Sequence, residues 1–188
     1  MNASLFRYDY TDFQVLQVVG IQTVTKNAGD ATVNGLEIEA LSNVNDSLSI
    51  NYGLTFLDAT YGEFLNINGI QPELGDQQLD GNYLTNAPKV SINLGLNYTS
   101  AMSSGASLTY RANAAYKSRI YFSEFNEYSQ DAYTILDLNL IWESADETTR
   151  SRFFVKNATD EDYIAGYLSS ATGGGRFGQW GYPRTVGI

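Results

Sequence analysis

The chain has 188 residues, a formal net charge of -10, and neither cysteine nor histidine. The negative charge argues against a nucleic-acid-binding surface, and the missing residue types exclude disulfides, thiolate chemistry and histidine-based acid–base or metal sites. No stretch approaches the roughly eighteen apolar residues of a helical membrane span. We therefore expect a non-enzymatic protein with no catalytic residues, no metal site and no cofactor.

The N-terminal stretch predicts one strand followed by a loop. Residues 5–17 are rich in Phe and Tyr, but the aromatic residues at positions 6, 8 and 10 share one parity, whereas Phe13 and Val15 take the other. A β-bulge near Asp12 would reconcile the two phases, because a bulge adds one unpaired residue. Residues 18–30 then form a predicted loop that ends in the turn-forming sequence N-A-G-D.

Six further stretches alternate apolar and polar residues, which is the pattern of a β-strand with one apolar and one polar face. They are residues 31–44, 47–59, 88–99, 106–120, 132–143 and 150–158, and an eighth strand begins at Arg184. The clearest is 132–143, where Leu136 and Leu138 alternate with Asp137 and Asn139. It runs for about twelve residues, whereas a strand in a soluble domain has about five or six and a strand tilted across a bilayer about nine to eleven.

The connections between these strands alternate between short and long. The short ones lie around Asn45, Ala101 and Asp146, and the longer ones include residues 60–87 and 159–183. Outer-membrane barrels have short periplasmic turns and longer extracellular loops. The sequence therefore predicts an all-β, antiparallel up-and-down transmembrane β-barrel, represented by about seven to eight strands. The acidic run at 160–162 is expected to be a solvated loop tip.

The two predicted faces indicate different surroundings. Five aromatic residues of the apolar parity lie near the short turns and predict a periplasmic-side girdle; they are Tyr52, Tyr98, Tyr110, Trp142 and Phe153. An alternative is a soluble β-sandwich that buries the same residues against a second layer. The opposite parity carries polar residues that would face a wide lumen. Among them the candidates for substrate contact are Glu37, Glu39, Arg111, Lys117 and Asp137.

Four motifs resemble the C-terminal barrel strands of TonB-dependent outer-membrane receptors. Residues 156–163, K-N-A-T-D-E-D-Y, are similar to the family's K-N-L-T-D-x-x-Y segment, and residues 181–187, G-Y-P-R-T-V-G, resemble its G-x-P-R-T-Y/F-G entry to the final strand. Residues 28–39 resemble the N-A-G-x-A-x-x-x-G-x-E-x-E pattern of an earlier strand. Residues 84–96, with A-P-K at 87–89, resemble a family strand start.

This resemblance implies that residues 1–188 are the C-terminal part of such a receptor barrel, without the plug, the TonB box and the end of the final strand. It implies an integral protein of the bacterial outer membrane that imports a scarce nutrient, such as a ferric siderophore or similar chelate. The implied partners are outer-membrane lipid, TonB through the N-terminal region, and a small nutrient ligand. Loops 60–87 and 159–183 are the implied ligand contributors. A passive outer-membrane porin is a further alternative, and the segment alone is expected not to form a stable inserted barrel, since open sheet edges are not tolerated in lipid.

Overall fold

The computed structural model describes residues 1–19, 22–27, 29–170 and 175–188. In these ranges it contains sixteen strands and one 3₁₀ turn, Pro72–Leu74. The strands are β1 (Asn2–Tyr10), β2 (Gln14–Val19), β3 (Gln22–Asn27), β4 (Ala31–Asn43), β5 (Leu48–Tyr61), β6 (Leu65–Ile67), β7 (Asp76–Gln78), β8 (Val90–Ala101), β9 (Ser107–Lys117), β10 (Ile120–Tyr121), β11 (Ser129–Gln130), β12 (Tyr133–Glu143), β13 (Arg150–Lys156), β14 (Ile164–Ser170), β15 (Gly175–Trp180) and β16 (Thr185–Gly187). No helix in the described ranges is long and apolar enough to cross a membrane.

Eight of these strands form one antiparallel sheet, here called the wall, in the order β1-β4-β5-β8-β9-β12-β13-β16. Each wall strand pairs with the next wall strand along the chain, which is up-and-down topology. The predicted all-β fold is therefore confirmed, and the sheet is an open part of a barrel. Short turns join β4 to β5, β8 to β9 and β12 to β13, as predicted, and the longer connections lie at the opposite end of the sheet.

The first predicted strand is wrong in its second half. β1 ends at Tyr10, and Asp12 adopts a left-handed conformation with φ of 55°, which Asp tolerates in turns. The chain therefore leaves the wall at this point instead of continuing through a bulge. β2 then pairs with β3 as a separate hairpin, so the predicted loop at 18–30 contains a strand. Within that loop, residues 20, 21 and 28 lie outside the described residues.

The strand pairing places the apolar parity of β4, β5, β8, β9, β12, β13 and β16 on one face, here called the apolar face, whereas β1 turns Phe6, Tyr8 and Tyr10 to the opposite face. One row of directly paired residues reads Ala40, Tyr52, Leu94, Ala114, Leu136, and another reads Leu48, Tyr98, Tyr110, Leu140, Phe153. Tyr52, Leu94, Leu138 and Phe153 are 39% to 49% exposed. Along the described residues no second layer covers this face, which contradicts the β-sandwich alternative.

The height of the apolar face fits a bilayer. On β5 the outward residues are apolar from Leu48 to Phe56, and the next outward residue is Asp58. The segment from Leu48 to Phe56 has nine residues, and a strand tilted by about 45° needs about nine to eleven to cross a bilayer. The apolar band on β5 therefore has the length of a membrane-crossing strand.

The predicted girdle is present in four of its five members. Tyr98, Tyr110 and Phe153 share one row, and the rings of Tyr98 and Tyr110 lie 6.2 Å apart between centroids. Trp142 lies one row nearer the short turns. Tyr52 pairs with Leu94, two rows farther from the turns, so it belongs to the middle of the band.

Candidate functional site

The five predicted contact residues lie together on the second face of the wall, here called the polar face. Glu37, Thr55, Ser91 and Lys117 form one row of paired residues. Glu37 and Lys117 are nevertheless three strands apart, about 14 Å at the usual strand spacing, so they do not form an ion pair. Glu39 lies in the next row, and Arg111 and Asp137 lie nearer the short turns. The prediction that they share a face is confirmed, but they do not form one cluster, and their contact with substrate stays a prediction.

Two of the five already have partners within the wall. The Nε of Arg111 donates to Oδ1 of Asn97 at 2.8 Å, and Oδ1 of Asp137 accepts a hydrogen bond from the backbone amide of Asn157 at 2.9 Å. These contacts join neighbouring strands and orient both side chains. Glu37, Glu39 and Lys117 remain exposed on the polar face.

An aromatic ladder crosses the polar face toward the long-loop end of the wall. Its members are Phe6, Tyr8, Tyr10, Phe13, Tyr61 and Phe64. Successive ring centroids lie 5.2, 6.2, 5.9, 6.2 and 5.3 Å apart, within the range of attractive aromatic pairs. Tyr8 and Tyr10 are 52% and 44% exposed, whereas Tyr61 and Phe64 are 3% and 1% exposed. The ladder therefore has an open middle and a buried end.

Small residues on β4 make room for the ladder. Phe6, Tyr8 and Tyr10 pair with Gly35, Val33 and Ala31. A Cβ on Gly35 would collide with the ring of Phe6. This packing gives a physical reason for Ala31 and Gly35 in the 28–39 motif, since larger side chains at these two positions would displace the rings of Tyr10 and Phe6.

The buried end of the ladder is the core of a loop cluster, which we define as residues 62–86 together with residues 119–131. Phe64 and Leu79, together with Tyr61 at the end of β5, are its buried centre, and Phe13, Val15, Leu84 and Phe125 pack against them. The hairpin β2–β3 thus reaches this core through Val15, and Phe13 contacts it just before the hairpin begins.

Asparagine side chains connect the two segments of the loop cluster. Asn66 donates to Oε1 of Glu124 at 3.2 Å, and Asn68 donates to both carboxylate oxygens of Glu127 at 3.0 and 3.1 Å. Asn126 accepts from the backbone amide of Tyr83 at 2.7 Å and donates to its carbonyl at 2.9 Å. Burial raises the pKa of Glu124, and the nearby Glu127 carboxylate raises it further.

The connection between β13 and β16 joins the same assembly through its own hairpin, β14–β15. The Tyr167 ring stacks on Phe122 and on Tyr128, with centroid distances of 5.9 and 5.1 Å. Described residues of all four connections at this end of the wall are therefore part of one assembly.

The two C-terminal family motifs meet in a clasp formed by Asn157, Asp160, Tyr182 and Arg184. Asn157 is 3% exposed; its amide nitrogen donates to the carbonyls of Glu161 and Tyr182 at 2.9 and 3.0 Å. Oδ1 of Asp160 accepts from the backbone amide of Arg184 at 2.9 Å, and the two side chains form an ion pair at 3.3 Å. Asp160 therefore has a structural role, which corrects the expectation of a merely solvated acidic tip.

The sequence did not predict the ladder or the loop cluster. Phe6, Tyr8 and Tyr10 share one parity, but the prediction of one continuous strand through residue 17 did not show which face of the sheet they occupy. The loop contacts gave no local signal, since Asn126 and Tyr83 are 43 residues apart. Within the described ranges no group of three or more Asp or Glu side chains is arranged to hold a metal ion.

Known proteins share both the sequence pattern and the fold. A family model described as "TonB dependent receptor-like, beta-barrel" matches residues 1–158. The ferric yersiniabactin uptake receptor FyuA from Yersinia pestis superposes with a TM-score of 0.78 and 21% identity over 98% of this chain and 26% of its own. The siderophore receptor PiuA from Acinetobacter baumannii gives a TM-score of 0.73 and 19% identity over 98% of this chain and 24% of its own.

BauA, the ferric preacinetobactin receptor from Acinetobacter baumannii, gives a TM-score of 0.70 and 19% identity over 98% of this chain and 26% of its own. The chain thus spans about a quarter of the length of these solved receptors. Among curated protein sequences none matches it.

Proposed function

The chain belongs to the TonB dependent receptor-like β-barrel family, and on this basis we propose that it supplies wall strands and extracellular loops to a receptor of the bacterial outer membrane. The receptor imports a scarce nutrient, a ferric siderophore or similar chelate, using energy delivered by TonB. It performs no catalysis. Its partners are outer-membrane lipid, TonB acting on an N-terminal region, and the small ligand.

The observation that carries this proposal is the contrast between the two faces of the wall. The apolar face is tall enough for a bilayer and ends at polar residues. The polar face carries exposed aromatic and charged side chains that lead to the connected loops. A ligand entering from the loop end would therefore meet the loop cluster first and the ladder next.

The test measures uptake by the full-length receptor. Cells that express the receptor and depend on it for iron are given a panel of radioactive ferric chelates, with and without TonB. We expect accumulation of at least one chelate to require both TonB and the proton motive force. Accumulation that persists without TonB would support the passive porin alternative instead.

A further inference from the structure

We propose that the outer side of the wall binds a phosphorylated lipid of the outer leaflet, whose phosphate contacts Lys89 and Arg119 in a depression beside the apolar band and whose acyl chain lies in a shallow groove on that band. This inference rests on the proposed outer-membrane location and adds a lipid site to it. It comes from the height of the depression, from the charges that line it and from the small residues next to it.

A depression of about 670 Å³ lies at the long-connection end of β8 and β9 and opens on the outer side of the wall. Val90 and Ser118 form part of its lining. The backbone amide of Ser118 donates to the carbonyl of Val90 at 2.9 Å, so the two residues lie opposite each other. They continue the outward parity of the pair Ile92 and Tyr116, since alternate residues of a strand share a face.

The depression begins where the apolar band ends. Val90 pairs with Phe56 at the edge of the band nearest the long connections. Tyr83, which lines the far part of the depression, pairs with Thr60. Thr60 is four residue steps beyond Phe56, about 14 Å along the tilted strand. In a bilayer this level corresponds to the polar headgroup region, which lies directly outside the hydrocarbon core.

The depression lies on a part of the wall that further strands do not reach. Such strands would join at β1 and β16, whereas β8 and β9 lie in the middle of the sheet. A plug inside the barrel would lie on the polar face. We therefore expect the depression to be open to lipid in the whole receptor as well.

Two cations line the depression, and both contact aromatic side chains. The rings of Tyr83 and Tyr121 stack at a centroid distance of 5.7 Å, and Nζ of Lys89 lies 4.2 Å from the centroid of the Tyr83 ring. Arg119 lines the same depression within hydrogen-bonding reach of Tyr121. These contacts limit the freedom of both cationic side chains before a ligand arrives, which favours binding.

These cations differ from the rest of the outer side of the wall. In the described strands, the outward positions of β4, β5, β8, β9, β12 and β13 carry no Lys or Arg, and the whole chain has a net charge of -10. Lys and Arg beside a membrane surface attract the headgroups of anionic lipids. Two cations at the level of the headgroups therefore match a lipid phosphate.

Two carboxylates lie near the cations. Oδ1 of Asp131 accepts from Nε and Nη2 of Arg119 at 3.0 and 2.7 Å, and Asp58 is the carboxylate whose charge acts on Lys89. The side chains of Arg119 and Asp131 are 57% and 77% exposed, and ion pairs this exposed contribute little to stability. A phosphate, which accepts two parallel hydrogen bonds from an arginine, can therefore compete with Asp131 for Arg119.

A shallow groove continues from the depression along β9. Ala114 and Ala112 follow Tyr116 at the outward positions of this strand, and both alanines pair with leucines on the strands at either side. Leu96, Ala112 and Leu138 line part of the recess that results. An acyl chain in this groove would gain apolar contacts with side chains on both sides. One amphiphilic molecule can thus occupy the groove and the depression together.

The experiment uses the full-length receptor, purified in a non-ionic detergent, and measures dissociation constants by native mass spectrometry. The probes are bisphosphorylated lipid A, monophosphorylated lipid A and a neutral diacyl glycolipid. We expect bisphosphorylated lipid A to bind most tightly and the neutral glycolipid most weakly. Lys89→Gln and Arg119→Gln should each weaken bisphosphorylated lipid A by about fivefold. Asp131→Asn should tighten it, because Arg119 then loses its competing partner.

Matched controls separate this site from general effects of charge and size. Arg150→Gln removes one charge from a side chain that is also 57% exposed but lies at the short-turn end, and it should leave all three dissociation constants unchanged. Ala114→Phe, which fills the groove, should weaken bisphosphorylated lipid A. Ala40→Phe, in the same row of the apolar face, should have no effect. Folding of each variant is checked by its heat-modifiable band on electrophoresis.

The inference is overturned if the folded Lys89→Gln and Arg119→Gln variants bind lipid as the wild type does, or if the neutral glycolipid binds as tightly as bisphosphorylated lipid A. Displacement of the lipid by millimolar inorganic phosphate would indicate a site for the free ion, and a change from dimer to monomer in the double variant would indicate a contact with a second copy; both also overturn it. TonB-dependent uptake by a receptor whose variants all bind lipid equally would remove the lipid site and leave the import function intact.

Discussion

The wall and the loop cluster are stabilised in different ways. In the wall, backbone pairing joins neighbouring strands while the apolar side chains remain exposed. The loop cluster has a buried aromatic centre, and side chains such as Asn126 satisfy the backbone of a distant segment. We therefore expect the wall, under the proposed function, to depend on lipid and on further strands, whereas the loop cluster carries a core of its own. Four predictions test this contrast.

The largest effect is expected for the wall in isolation. β1 and β16 are the outer strands of the described sheet and each pairs on one side. Unpaired backbone groups cost several kcal/mol each in hydrocarbon, so residues 1–188 alone should fail to insert into liposomes. Electrophoresis without boiling should show no compact band, in contrast to the full-length receptor. A heat-modifiable band from the segment would contradict this dependence on further strands.

The next effect concerns the core of the loop cluster. Phe64→Ala removes a ring that is 1% exposed, and such a cavity costs about 3 to 5 kcal/mol. Hydrogen exchange on the full-length receptor should therefore show lost protection in residues 62–86 while β8 and β9 keep theirs. Phe56→Ala, which removes a ring from the apolar face, is the matched control. Equal loss of protection in the wall would show that the two regions unfold together.

A smaller effect is expected at the clasp. Asn157→Ala leaves the carbonyls of Glu161 and Tyr182 without their donor and places alanine at φ of 48°, with an expected cost of about 3 kcal/mol. Exchange of the β16 amides in the full-length receptor measures it. Asn157→Gly removes the same hydrogen bonds without the backbone strain, so it should cost about 1 kcal/mol less. Equal effects of the two variants would exclude strain as a contribution.

The smallest effect is a pH dependence of the loop cluster. The folded-state pKa of Glu124 is raised, chiefly by burial, so this group favours the docked loops most below its unfolded value of about 4.3. The contribution is lost as the pH rises through the higher folded value. Exchange of the Tyr83 amide, compared with that in Glu124→Gln at each pH, should show protection falling across this window in the wild type alone. Parallel profiles would rule out titration of Glu124.

The sequence predicted the wall well because its signal is local. Alternating residues define each strand, and the last seven wall strands lie within three residues of the predicted bounds. It predicted the loops poorly because their structure depends on distant partners. Asp12 illustrates the difficulty: its left-handed turn separates β1 from β2, but the alternation around it also fits a bulge. The five predicted polar residues do share a face. The aromatic ladder on that face was not predicted, because the turn at Asp12 was not recognised in the sequence.

The clasp has a consequence for how the chain assembles. The described part of β16 pairs with β13 at 154–187, 155–186 and 156–185. A shift of this register by one residue would move Val186 from the apolar face to the polar face. It would also separate Asp160 from Arg184. The hairpin β14–β15 shortens the path between these two residues and so lowers the entropy lost when they meet. We therefore infer that the clasp helps to fix the register in which β16 pairs with β13.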